Sequence, residues 1–177
     1  EMLKQGKVNI YPTETCYGLA VDVMNEAALK KLYAIKGRDF NKPVSIFVAD
    51  MEMAQKYGVF SEKALELAEK YWPGALSIVV PRREALLEFF NKGEEFVSMR
   101  VSGDEFCREM VKELGRPVTT TSANMAGEPE LYEVKDLKGV DFLVDGGKIE
   151  MKKPSTIVKV VGNVVEVLRQ GDIEVLI

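Results

Sequence analysis

Residues 96–121 read FVSMRVSGDEFCREMVKELGRPVTTT, and this stretch sets the fold class. Phe96–Val101 has strand character, and Asp104 stands where a helix N-cap belongs. The helix it opens runs to Gly115, and Pro117–Thr121 returns as a β-branched strand leading into a polar loop. The same alternation extends in both directions. Upstream, Val8–Tyr11 reads as a strand ended by Pro12, and Leu19–Val23 as a second. Asn25 caps a helix through Ile35 that carries Ala28, Leu29, Leu32 and Tyr33 on one face. Val44–Val48 is a third strand, and Asp50 caps a short helix to Tyr57. Ser61 opens a helix to Tyr71, stopped by the Trp72-Pro73-Gly74 turn. Leu76–Val80 is a buried strand, and a helix is expected over Glu84–Phe90. Downstream, Phe142–Val144 is a short strand, and Gly162-Asn163 joins Ile157–Val161 to Val164–Leu168 as a two-residue hairpin. Alternating elements closed by a hairpin predict an α/β domain with a mixed sheet.

The chain has 177 residues, 46% of them hydrophobic and 29% charged, which suits one domain that buries its own core. It opens on Glu1 rather than Met, so native residues are expected before it. Neither a signal peptide nor a membrane-length apolar run is visible, and two cysteines, Cys16 and Cys107, are too few for a disulfide framework. The expectation is a cytoplasmic protein that does not engage membranes. A net charge of −4 argues against non-specific coating of nucleic acid. Histidine is absent altogether, which removes Ser-His-Asp triads, Cys-His pairs and histidine-ligated metal sites. Chemistry must therefore run on Lys, Arg, hydroxyls, carboxylates or a borrowed metal ion.

Polar residues gather at strand ends. Thr13, Glu14 and Thr15 lie in the turn from Pro12 to Gly18, which either presents hydroxyls and N–H groups to a ligand or simply joins two strands. Lys36, Arg38 and Lys42 place three cations within seven positions around Gly37. They form either a phosphate clamp or cations that complement a helix C-terminus. The P-loop spacing is absent. Thr119, Thr120, Thr121 and Ser122 are four consecutive hydroxyls before Ala123 and Asn124, costly to bury without partners. Arg100 ends a strand, and Ser155 and Arg169 flank the terminal hairpin. Cys16 reads as a small buried hydrophobe, because no histidine is present to activate it.

Seven short motifs in order resemble the Sua5/YciO/YrdC family, whose active members are threonylcarbamoyl-AMP synthases. They are Tyr-Pro-Thr-Glu-Thr-x-Tyr-Gly-Leu at 11–19, Lys-Gly-Arg at 36–38, Lys-Pro at 42–43, Arg-Val at 100–101, Ser-Ala-Asn at 122–124, Pro-Ser-Thr-Ile-Val at 154–158 and Leu-Arg-x-Gly at 168–171. The resemblance implies a YrdC-like twisted open mixed sheet with flanking helices and a concave basic cavity, within a single YrdC-like domain over 1–177. By motif match it implies that Thr15, Arg100, Thr120 and Ser155 contact threonine. Lys36, Arg38, Lys42, Ser122, Asn124 and Arg169 would hold ATP, with Lys36 and Arg38 catalytic and Mg²⁺ accompanying the nucleotide. Two departures stand out: Phe47, where some longer members carry a histidine, and Val101-Ser102-Gly103-Asp104, where an acidic residue and His are common.

The implied activity is synthesis of threonylcarbamoyl-AMP and pyrophosphate from ATP, L-threonine and bicarbonate. The product would pass to the tRNA threonylcarbamoyl transferase machinery for N6-threonylcarbamoyladenosine formation. Two other readings are a non-catalytic module binding tRNA or double-stranded RNA, and a carbamoyl-transfer domain like that of hydrogenase maturation proteins.

Overall fold

The computed structural model describes residues 1–133 and 137–176. Among these residues, nine strands and four helices follow in chain order. They are β1 Asn9–Tyr11, β2 Gly18–Ala20, α1 Glu26–Lys36, β3 Ser45–Phe47, α2 Met51–Tyr57, α3 Glu62–Tyr71, β4 Leu76–Pro81, β5 Phe96–Arg100, α4 Glu105–Leu114, β6 Val118–Ser122, β7 Phe142–Leu143, β8 Thr156–Val161 and β9 Val164–Arg169. The strands form one open sheet in the order β7-β1-β2-β6-β3-β5-β4-β8-β9. It is mixed, as expected: β3 runs parallel to β5 and antiparallel to β6, and β4 runs parallel to β8. No helix among the described residues is long and apolar enough to cross a membrane.

All four helix N-caps expected from the sequence form. Asn25, Asp50, Ser61 and Asp104 accept from the backbone N–H groups of Ala28, Met53, Ala64 and Cys107. Each such cap is worth about 1 kcal/mol. Gly37 and Gly115 end α1 and α4 in the left-handed conformation, with φ 57° and 72°. The apolar stripe of α1 is buried with Leu19, Ile46, Ile78 and Met99 of the sheet in one continuous core.

Two expectations change. The strand expected over Leu19–Val23 is shorter, because Thr119 intercepts it. Its hydroxyl accepts from the Val21 N–H and donates to the Leu19 carbonyl, both at 3.1 Å. Thr119 is fully buried, so this member of the hydroxyl run holds the sheet together. The helix expected over Glu84–Phe90 is a chain of turns instead. Arg82 donates to the carbonyls of Leu86, Leu87, Phe90, Asn91 and Glu94, gathering these turns around one guanidinium. Asn91 adds a second anchor by pairing through its side chain with both backbone groups of Val44.

Candidate active site

Strand ends and their connecting loops enclose a cavity of about 300 Å³. The turn after β1, the loop into β3, the start of β4, the ends of β5 and β6, and the β8–β9 hairpin all contribute to its wall. Seven of the ten candidate residues line it: Thr15, Arg38, Arg100, Thr120, Ser122, Ser155 and Arg169. Three arginines from distant parts of the chain therefore face one space. Lys36, Lys42 and Asn124 stand outside the lining.

The turn after β1 is organised by the Thr13 hydroxyl. It donates to the Cys16 carbonyl at 2.7 Å and accepts from the N–H groups of Thr15 and Cys16. The Thr15 hydroxyl stands 3.1 Å from that of Thr13. Thr15 lines the cavity, where its hydroxyl can accept a hydrogen bond. Across the site, Arg100 is only 4% exposed, and its guanidinium lies over the Phe47 ring, 4.6 Å from the centroid. Its Nη2 is 3.4 Å from Glu14 Oε1. Its Nε has no partner, and among the described residues its side chain donates no hydrogen bond. Burial opposes ionisation of Glu14, but the Arg100 charge, the Ser102 hydroxyl and the Gly103 N–H together hold its carboxyl below the usual range.

The Lys-Gly-Arg motif sends its two cations to different tasks. Lys36 ends α1 and is 3% exposed. Its ammonium donates to the carbonyls of Ser122 and Asn124 and to Asn124 Oδ1, at 2.6, 2.9 and 3.1 Å. An ammonium has three N–H donors, so none is left over. Burial and the neighbouring Arg38 charge push its pKa down to about 8. Asn124 is fixed further, accepting from Ser122 Oγ and donating to the Glu128 carbonyl. Lys36 and Asn124 thus shape the loop that presents Ser122. Past Gly37 the chain reverses, and Arg38 enters the cavity with one Nη bonded to the Pro43 carbonyl and its Nε unpartnered. The Lys42 side chain is exposed, while its carbonyl accepts from the Tyr33 hydroxyl.

At the hairpin end, Arg169 donates to the Ser155 carbonyl through Nε and Nη2 and to Ser155 Oγ through Nη2. Ser77 lies 3.3 Å from Ser155 Oγ and joins the lining. Sequence reasoning missed Ser77, Ser45 and Glu130, and none of the three carries a local signal beyond being polar. Cys16 is half-buried in the cavity wall rather than in the core, yet burial pushes its thiol up to about 11. It is not a nucleophile at neutral pH. Cys107 is a core residue, fully buried and pushed higher still.

The family model of the Sua5/YciO/YrdC domain, described as "Telomere recombination", matches residues 1–171. The chain belongs to this family. A relative from Methanocaldococcus jannaschii is 34% identical over 175 residues, covering 96% of this chain and 82% of its own length. Threonylcarbamoyl-AMP synthase of Bacillus subtilis is 32% identical over 97% of this chain, which spans 52% of that relative. The crystal structure of Pyrococcus abyssi Sua5 complexed with L-threonine superposes with a TM-score of 0.89 at 29% identity, over 96% of this chain and 52% of that one. The chain thus spans about half the length of the latter two.

Proposed function

We propose that this domain is a threonylcarbamoyl-AMP synthase that transfers an adenylyl group from ATP to a carbamate built on L-threonine. The observation that carries the reading is Arg100. It is a buried guanidinium with unspent donors, and it faces the same cavity as Thr15, Ser155, Arg38, Arg169 and Ser122. A carboxylate satisfies the fork of Arg100, the acceptor lone pairs of Thr15 receive an N–H, and Arg38 and Arg169 receive phosphate oxygens. Threonine's amine condenses with bicarbonate, losing water, to give the carbamate. A carbamate oxygen then attacks the α-phosphorus, and pyrophosphate leaves with the electron pair of the broken P–O bond.

The nucleophile belongs to the substrate, so a site without histidine suffices. The protein's part is positioning and charge stabilisation. Arg38 and Arg169 balance the triphosphate, while Lys36 and Asn124 hold Ser122 in place. Among the described residues, no group of three Cys, Asp or Glu gathers as a metal cage. Mg²⁺ is therefore read as part of the ATP substrate, carried by phosphate oxygens and water. The adenylate would pass to the tRNA-modifying transferase. A purely RNA-binding role is less well supported, because the guanidinium groups converge within a small cavity and the chain carries a net charge of −4. The test is pyrophosphate release from ATP with threonine and bicarbonate each omitted in turn. Release should require both, and release indifferent to either overturns the assignment.

A further inference from the structure

Arg100 is a buried charge that owes its orientation to something other than hydrogen bonds of its own. Phe47 covers one face of the guanidinium, and the nearest anion is Glu14, 3.4 Å from Nη2. Glu14 is absent from the cavity wall. Its carboxylate is held at both oxygens. Oε2 accepts from the Ser102 hydroxyl at 2.5 Å, and Oε1 accepts from the Gly103 N–H at 3.0 Å.

The turn that supplies these two donors is itself tied to α4. Arg108 donates to the carbonyls of both Ser102 and Gly103 at 2.8 Å, and the Asp104 N–H donates to Ser102 Oγ. A line of contacts therefore runs from α4 through the 102–103 turn to Glu14 and on to Arg100. A 3.4 Å approach offsets the charge of the buried guanidinium without consuming an aligned N–H, and so leaves its fork open. A closer, bidentate carboxylate would have saturated the same donors.

We propose that Glu14 is a positioning residue: fixed by Ser102 and Gly103, it aims Arg100 into the cavity while leaving the guanidinium donors free for the carboxylate of an α-amino acid. The proposal deepens the synthase reading, on which the identity of that carboxylate rests. It assigns a role to the Glu14 of the Thr-Glu-Thr turn and to the Ser102-Gly103 departure together.

The test pairs two measurements on wild type, Glu14→Gln and Ser102→Ala. Calorimetric titration with threonine and, separately, with ATP should show threonine binding weakened about tenfold in Glu14→Gln. ATP binding should stay within twofold, and Ser102→Ala should show a smaller effect in the same direction. Equal weakening of both ligands, or none of either, overturns the proposal. The second measurement needs no ligand. The guanidinium ¹⁵N signals of Arg100, assigned by their loss in Arg100→Lys, should be resolved by hindered rotation in wild type and averaged in Glu14→Gln. Unchanged Arg100 signals also overturn it. If wild type binds no threonine, the synthase reading fails, and the Arg100 signals still decide the role of Glu14. If Glu14→Gln does not fold, Ser102→Ala carries both measurements.

Discussion

Lys36 and Arg100 are two buried cations at the same site, 3% and 4% exposed, and they are built in opposite ways. Every N–H of the Lys36 ammonium is spent on Ser122 and Asn124. The Arg100 guanidinium rests on an aromatic ring beside a carboxylate and donates to nothing in the described protein. Burial alone therefore does not tell a ligand-binding cation from a structural one. The state of its donors does. A saturated cation holds the chain, whereas an unsaturated one is an unmet demand that a ligand can answer, and it carries a desolvation cost until then.

Arg100→Ala should give the largest effect. The loss of one preorganised charge contact lowers kcat/KM for threonine by about 10²–10³, with ATP affinity changed far less. A steady-state comparison that varied each substrate would measure this, and equal losses for both would remove the distinction between the two cations. Lys36→Met keeps the stem and strips the ammonium, leaving the Asn124 carbonyl without its donor and taking one donor each from the Ser122 carbonyl and Asn124 Oδ1. The expected cost is about 1–3 kcal/mol, read as a fall of several degrees in Tm, with weaker ATP binding following from the displaced Ser122 loop. An unchanged Tm with ATP binding abolished would mean that Lys36 meets the nucleotide directly.

The smallest effect is on the pH dependence of stability. The folded-state pKa of Glu14 lies below its ordinary 4.5, so its contribution is complete above that value and is lost as pH falls through the folded one. Denaturant unfolding from pH 6 downwards should show wild type losing stability faster than Glu14→Gln, and parallel curves would contradict the pairing with Arg100.

Much of this architecture was legible in the chain. The four caps, the alternation and the terminal hairpin are local signals, each confined to a few neighbouring residues, and they fold as read. The Glu84–Phe90 segment shows where local reading ends. Its helical pattern is real, but the segment forms turns gathered around the Arg82 guanidinium, and that arrangement depends on how the side chain folds back. The hydroxyl run behaves similarly. Nothing in Thr119-Thr120-Thr121-Ser122 shows that Thr119 braces the sheet while the other three face the cavity. Lys36 and Arg38 are equally cryptic, because acceptors 86 and 88 positions away decide where the first ammonium goes. Glu14 was visible only as a turn carboxylate, since its partners lie at Arg100, Ser102 and Gly103.

The cavity draws on residues from Thr13 to Arg169, with the last wall supplied by the β8–β9 hairpin at the far edge of the sheet. Until the hairpin docks beside β4, neither Ser155 nor Arg169 is in place. Such long-range closure is slow compared with helix formation. A ligand of the cavity is recognised only by molecules that have completed it, so under the synthase reading nucleotide and amino acid would act as a final inspection of the folded chain and stabilise those that pass.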